Sequence, residues 1–408
     1  MVEILHVEIC QKIDSTLLQQ DIKDAVKAEL CLLEEVILNS LLLGTFFSNE
    51  IVKTHVESIL CSLNNEKSRT KVKGTNIQLY VYRLVQEEAA IETMQDDNGE
   101  LPVAANCILP SKEFHGLWEN LYYDSGVKEN LLDFVETIAV FSDRLVDPNV
   151  INCNRVVLLH GPPGTGKTSL CKALAQKITI RLGDRYSHGE LVEINSHSLF
   201  SKWFSESGKL VMKLFSEIKI LLQNPKALVC VLIDEVESLA HARKACINGT
   251  EPSDSIRVVN ALLTQLDQLK RYPNVLILTT SNVTEAIDLA FVDRADIKQF
   301  IGFPTDLAIY KIYASCLKEL MRTGIVDQDT IHDMSYLKML GYEETSETKH
   351  SLMLCELSRQ SVGLSGRVLR KIPFLAHALY LHTRTTTVPR FLRAMHLAIE
   401  KQKEEEFN

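Results

Sequence analysis

The chain has 408 residues, 46% of them hydrophobic and 24% charged, with a formal net charge of −9 at pH 7. That length accommodates two or three domains with a sizeable core, and the composition lacks the bias of collagenous, low-complexity or disordered chains. The negative balance argues against a protein whose main work is gripping nucleic acid through its charge.

The first residues, Met1-Val2-Glu3-Ile4-Leu5-His6-Val7-Glu8, do not run from a basic region into an uninterrupted apolar stretch, so they do not read as a secretory signal. Asp21 to Leu43 reads as a helix, with Ala25, Ala28, Leu30, Leu33, Val36 and Leu41 near helical spacing. Asn76 to Leu84 alternates with a period near two and carries β-branched and aromatic residues, which predicts a half-buried strand. Together they predict a small α+β domain over residues 1–100. Asp96-Asp97-Asn98-Gly99-Glu100 is turn-prone, and Pro102 and Pro110 punctuate the apolar stretch after it, so residues 101–150 read as a linker and lead-in.

From Arg155 on, short apolar segments alternate with helical ones. Arg155–His160, Leu191–Ile194, Ala227–Ile233 and Val275–Thr279 read as buried strands, and Ile256, Val259, Leu263, Leu266 and Leu269 line one side of a helix. This predicts an α/β domain over 151–303, a parallel sheet with helices on both faces. Beyond Pro304 only helical patterns remain, which predicts an all-α subdomain over 304–408 ending in a solvated charge run, Glu400 to Glu406. The ten cysteines show no C-x-x-C pair and no zinc pattern, and read as reduced thiols of an intracellular protein. No apolar run is long enough to cross a bilayer, so the expectation is a soluble cytoplasmic or nuclear protein.

The chemistry concentrates in the middle third. Gly161-Pro162-Pro163-Gly164-Thr165-Gly166-Lys167-Thr168 fits G-x-x-x-x-G-K-[ST] between an apolar strand and a helix that opens with Ser169 and Leu170. Glycines let the backbone curl so that its N–H groups face a phosphate, and the helix N-terminus adds positive potential. Lys167 is expected to reach the β- and γ-phosphates of ATP, with the Thr168 hydroxyl on Mg²⁺. The strand Val229 to Ile233 ends in Asp234, suited to the Mg²⁺ sphere, and Glu235, suited to polarising an attacking water. Asn282 ends the next strand, where it can act as a polar sensor of the γ-phosphate.

With these elements in this order the chain resembles the AAA+ ATPases, and within them the pachytene checkpoint protein 2 (thyroid receptor-interacting protein 13) family. The resemblance runs through Gly161 to Arg181, Glu193 to Lys209, Thr250 to Asp254, Phe291 to Lys298 and Gly363 to Lys371. It is dense from about residue 110 to 400 and thinner over the first hundred. It implies that Arg294 is an arginine finger reaching the neighbouring subunit's ATP, and that Arg367 in Gly-Leu-Ser-Gly-Arg is the sensor 2 arginine. Many classical AAA ATPases carry an Arg-Pro-Gly-Arg segment before the finger; here Arg294 stands alone. Trp203 and Phe204, flanked by Ser201-Lys202 and Ser205-Glu206-Ser207, fall where that family has its substrate-gripping pore loop.

The family further implies a homohexamer that uses ATP to convert HORMA-domain proteins from the closed to the open form and to disassemble their complexes. Its clients are meiotic chromosome-axis HORMA proteins and the spindle-checkpoint HORMA protein with its adaptor. The N-terminal domain would recognise client or adaptor. The location implied is nucleus and cytoplasm, on chromosomes in meiosis and at kinetochores. The competing readings are a motor on nucleic acid or on another protein client, and a nucleotide-gated scaffold without turnover. Direct nucleic-acid binding and a membrane partner are not expected.

Overall fold

The structure, a computed structural model, describes residues 3–63, 69–87, 90–96, 99–124, 126–195, 207–238, 254–282 and 289–407. Backbone contacts divide it into two compact units. The first comprises residues 1–119, 128–160 and 168–300; the second comprises 120–127, 161–167 and 301–408.

The first unit opens with β1 (Ile4–Gln11), α1 (Gln19–Leu32), β2 (Glu35–Ile37), β3 (Leu41–Leu43), α2 (Glu50–His55), β4 (Val56–Ser62), β5 (Arg69–Lys71) and β6 (Asn76–Arg83). A four-stranded sheet runs in the order β3-β4-β1-β6, with β1 parallel to β6 and antiparallel to β4. Leu5, Val7 and Ile9 of β1 pack with Ile22, Val26 and Leu30 of α1 in one core. The expected strand at Asn76 is β6. The helix expected to reach Leu43 stops instead at Leu32, and Leu33 is already extended. The segment beyond is recruited as β2 against β5 and as β3 against β4, so tertiary pairing overrides helical spacing.

The stretch read as a linker also turns out differently. Strands β7 (Ala90–Asp96) and β8 (Gly99–Leu109) form an antiparallel pair, and β8 joins the edge of the large sheet. Pro102 cannot donate to a ladder; it sits beside the irregularity in register between Glu92 and Thr93, where a proline is tolerated. Two helices follow, α3 (Leu117–Asn120) and α4 (Val127–Asp143).

The large sheet is completed by β9 (Val156–His160), α5 (Lys167–Arg181), β10 (His188–Asn195), α6 (Ser207–Leu222), β11 (Ala227–Asp234), α7 (Asp254–Leu269), β12 (Val275–Ser281), α8 (Leu289–Val292) and β13 (Ile297–Phe300). Its order is β13-β9-β12-β11-β10-β8-β7; the five strands within 151–303 are parallel, as expected, and β8 and β7 are added by antiparallel pairing, so the whole sheet is mixed. Val156, Leu158, Val229, Val231, Ile233 and Ile277 face a core with Leu214, Phe215 and Ile218 of α6 and Val259, Leu262 and Leu266 of α7. Strand residues of the other parity, among them Val157, Leu159, Leu232 and Leu278, are buried as well, so both faces are covered. Asp296 clamps the start of β9, accepting from Asn154 N and Val156 N, each at 3.0 Å. Cys230, in the middle of the sheet, has its thiol pushed up to about 12 by burial, and Cys10 and Cys61 are raised equally far, burial again leading; these are inert, protonated thiols.

The second unit is helical after its loops: α9 (Asp306–Arg322), α10 (Met334–Met339), α11 (Lys349–Gln360), α12 (Gly366–Tyr380) and α13 (Val388–Phe407). Its core joins Tyr310, Tyr313 and Leu317 to Leu354, Leu369, Ile372, Phe391 and Met395. Thr305 caps α9 through Ala308 N, and Ser365 caps α12 through Val368 N. Among the described residues, no helix is long and apolar enough to cross a membrane.

Candidate nucleotide site

In the first unit, β9, β11 and β12 lie side by side and deliver their polar ends to the same edge of the sheet. The pairing of β11 with β12 sets Ile233 opposite Thr279, so Asp234 and Thr280, the next residue of each strand, are neighbours. Thr168, in the first turn of α5, donates its hydroxyl to Asp234 at 2.9 Å (Oδ1) and 3.2 Å (Oδ2). Thr280 donates a second hydroxyl to Asp234 Oδ1 and accepts the Glu235 backbone N–H at 3.2 Å. An anionic oxygen pair held by two hydroxyls at a helix start fits a hard divalent cation such as Mg²⁺.

Glu235 adopts φ +58°, a left-handed conformation that a non-glycine residue occupies only when its surroundings enforce it. Here Thr280 Oγ1 takes its N–H, Ser238 N and Oγ reach its carbonyl at 3.1 and 2.9 Å, and Val236 N donates to Thr280 O at 2.9 Å. The turn leaves the Glu235 residue exposed, with Asn282 Nδ2 3.3 Å from its Oε1. Asn282 is itself held by Glu237, whose Oε1 accepts the Asn282 N–H at 3.1 Å. A carboxylate and an amide so fixed can orient a water between them.

The phosphate-loop residues 161–167 belong to the second unit. Gly161 has φ +145° and Gly166 φ +90°. A Cβ at Gly161 would stand 2.1 Å from the Ile301 carbonyl oxygen, and one at Gly166 would stand 2.8 Å from the Tyr123 hydroxyl, so both positions require glycine. Lys167 is buried and donates to the carbonyls of Gly161 at 2.9 Å and Pro162 at 2.7 Å; Thr165 Oγ1 also donates to Pro162 O, at 3.0 Å. The ammonium is thus curled into the loop, the place a phosphate occupies in such a cradle. Pro163 lies between Pro162 and Gly164 in the loop, and Ser169 follows Thr168 in α5. Tyr123 donates its hydroxyl to Gly166 O at 3.0 Å, and the Arg367 N–H reaches Gly164 O at 3.0 Å, which sets the start of α12 against the loop.

Arg294 follows α8. Its Nε and Nη2 lie 3.0 and 2.8 Å from the two oxygens of Asp267 on α7, and Nη1 lies 2.6 Å from the Ala290 carbonyl oxygen. Trp203 and Phe204, expected in a pore loop, lie outside the described residues. Sequence reasoning missed Thr280, Glu237, Tyr123 and Asp267. A hydroxyl two residues before Asn282 and a third acid after Asp234-Glu235 were signals in principle; Tyr123 and Asp267 offered none.

The whole chain has known counterparts. The family described as "TRIP13 N-terminal domain" matches residues 2–87, "ATPase family associated with various cellular activities (AAA)" matches 157–303, and "TRIP13-like, AAA+ ATPase lid C-terminal domain" matches 305–403. A pachytene checkpoint protein 2 homolog of Gallus gallus is 52% identical over 410 residues, which cover 98% of this chain and 94% of that protein. The solved structure of C. elegans PCH-2 superposes with a TM-score of 0.80 at 34% identity, covering 99% of this chain and 100% of that one. A chain in the E. coli MS115-1 HORMA:CdnC:Trip13 complex shares the fold at 18% identity and a TM-score of 0.51, covering 72% of this chain and 94% of that one. Such a chain binds ATP with Mg²⁺ in the general manner of AAA+ proteins. The chain belongs to the pachytene checkpoint protein 2 family of AAA+ ATPases.

Proposed function

We propose that this ATPase works as a homohexameric ring that remodels HORMA-domain proteins, converting the closed form to the open one. The observation that carries the reading is the match to pachytene checkpoint protein 2 homologs along the whole chain, N-terminal domain included. The E. coli Trip13 protein, which shares this fold, stands in a complex with a HORMA protein and CdnC, and HORMA proteins are the client class assigned here. The clients are meiotic axis HORMA proteins and the spindle-checkpoint HORMA protein with its adaptor. The sites of action are nucleus and cytoplasm, meiotic chromosomes and kinetochores.

In this reading Lys167 and the N–H groups of Gly161–Thr168 bind the phosphates, with Pro162, Pro163, Thr165 and Ser169 shaping the cradle. Thr168 and Asp234 hold Mg²⁺, which when bound neutralises charge on the phosphate oxygens. Glu235 polarises the attacking water and Asn282 orients it. Arg294 serves the ATP of the neighbouring subunit, and Arg367 the ATP of its own chain; a guanidinium fork suits charge growing on the γ-phosphoryl group. Trp203 and Phe204 grip the client in the pore.

The test is assembly and client capture. Glu235→Gln keeps the fold of the site and removes the group that polarises water. With ATP it should sediment as a hexamer and retain a HORMA client with its adaptor; a monomeric, client-free protein under ATP contradicts the proposal.

A further inference from the structure

Strand β1 has two unlike buried faces. Leu5, Val7 and Ile9 enter the N-terminal core, whereas His6, Glu8 and Cys10 alternate onto the opposite side. There Cys10, Tyr80 and Tyr82 pack with Ile180 of α5, the helix that begins at Lys167. Glu8 is only 3% exposed, in the central part of the sheet.

Its two oxygens take two cations from α5. Lys177 Nζ is 2.8 Å from Oε2, and Arg181 Nε is 3.4 Å from Oε1. Lys177 also meets Glu119 of α3 at 2.9 Å. Arg181 reaches Glu136 of α4 at the solvent rim and Ser62 Oγ of β4, each at 3.4 Å. The buried set therefore balances two cations, Lys177 and Arg181, against two anions, Glu8 and Glu119. Apolar residues of similar volume would usually hold two elements together as well. What a charge cluster adds is one permitted register: Lys177 is fixed between β1 and α3, and Arg181 between β1, α4 and β4.

Lys177 lies ten residues into α5, about 15 Å from its start. A tilt of about 5° about that contact moves the helix start by about 1 Å, enough to take a hydrogen bond made there out of its narrow distance range. We propose that Glu8 is a positioning residue for ATP binding: from the N-terminal sheet it sets the tilt of α5, and with it the placement of Lys167 and Thr168. This rests on the assignment of those two residues to phosphate and Mg²⁺. Linkage is reciprocal, so nucleotide at the start of α5 steadies β1 and its neighbour β6.

Three measurements decide it. In the unmodified protein, ATP should slow amide exchange in Ile4–Gln11 and Asn76–Arg83; no change there overturns the proposal. Glu8→Gln removes the charge but strands a cation, so Glu8→Gln combined with Lys177→Met restores balance and serves if the single variant is unstable. Either folded variant should raise the KM for ATP and the Kd for nucleotide about fivefold or more, with kcat within about twofold, and should lose the ATP-dependent protection. Lowered melting temperature with wild-type KM and intact protection would show the cluster to be structural only. Lys167→Ala separates the two layers. If it still binds nucleotide normally, the phosphate assignment falls; if it does not bind while the Glu8 variants bind like wild type, only the positioning role falls.

Discussion

Arg294 and Asp267 meet as a fork on a fork, with Nε–Oδ1 at 3.0 Å and Nη2–Oδ2 at 2.8 Å, and the Ala290 carbonyl oxygen lies 2.6 Å from Nη1. Both partners are partly exposed, at 27% and 41%, so solvent screens the pair and its worth lies in orientation more than in stability. Parallel N–H···O contacts fix the plane of a guanidinium in a way a lysine could not reproduce. If Arg294 acts on a neighbouring subunit as proposed, Arg294→Ala in the assembled protein should cut turnover by about 10³-fold, the low end for a lost arginine finger. Asp267→Asn should cut it about tenfold with nucleotide affinity unchanged. Steady-state kinetics above and below the assembly concentration check both; equal losses in unassembled protein contradict an action on a neighbour.

Thr280 ties Asp234 to the Glu235 turn. Thr280→Val keeps the shape and removes the hydroxyl, leaving the Glu235 N–H and one Asp234 oxygen without it. That should cost about 1–3 kcal/mol of stability and lower kcat more than it raises the KM for ATP, because the Glu235 carboxylate, proposed to polarise the attacking water, loses its mount. Denaturant titration and initial rates report the two effects separately. A variant with wild-type kcat shows that the turn holds without Thr280.

The parts legible in the sequence are those whose signal is local. Runs such as Val229 to Ile233 announce central strands because both faces are apolar, and Gly161 to Thr168 announces a phosphate loop through spacing and context. Strand β1 does alternate, Leu5, Val7 and Ile9 against His6 and Glu8, but alternation predicts a solvated polar face; that this face is buried is not legible, because the cations that Glu8 pairs with, Lys177 and Arg181, lie more than 160 residues away. The pair β7–β8 is hidden by Asp96 to Glu100 and Pro102, which read as a break in the sequence, whereas the strands Ala90–Asp96 and Gly99–Leu109 pair at the edge of the sheet. Strand β13 is too short for its alternation to register. Of the residues singled out for chemistry, the structure pairs Thr168 with Asp234 and Asn282 with Glu235, while the residues that hold them in place do not advertise themselves.

Acid should loosen the junction between β1 and α5. The His6 ring sits at about 4 against an ordinary 6.5, because burial disfavours its charged form and Arg181 and Lys177 repel it; its Nδ1 meets the Tyr80 hydroxyl at 2.9 Å. The folded protein keeps this ring neutral where the unfolded chain would protonate it. Its contribution is whole above pH 6.5 and is lost as pH falls toward 4, on the order of 3 kcal/mol in full. Glu119 works in the same direction: burial would raise its carboxyl, but the charge and hydrogen bond of Lys177 hold it low, so acid also removes its contribution. Urea midpoints should fall between about pH 7 and pH 5, and His6→Phe should flatten that slope. Constant midpoints over the range would contradict the assigned neutrality of His6.

Trp203→Ala should leave basal ATP turnover within about twofold of wild type while abolishing client remodelling, since an aromatic that grips a client takes no part in the chemistry of phosphate. Turnover and remodelling measured on one preparation decide it. Unchanged remodelling removes the pore role from Trp203.

The most direct measurement follows the conformer of a purified HORMA-domain client on an ion-exchange column, with its adaptor, ATP and catalytic amounts of this protein. The account predicts conversion of the closed client to the open form only when ATP is hydrolysed, and none with Glu235→Gln. Vigorous ATP turnover with the client left closed would contradict it.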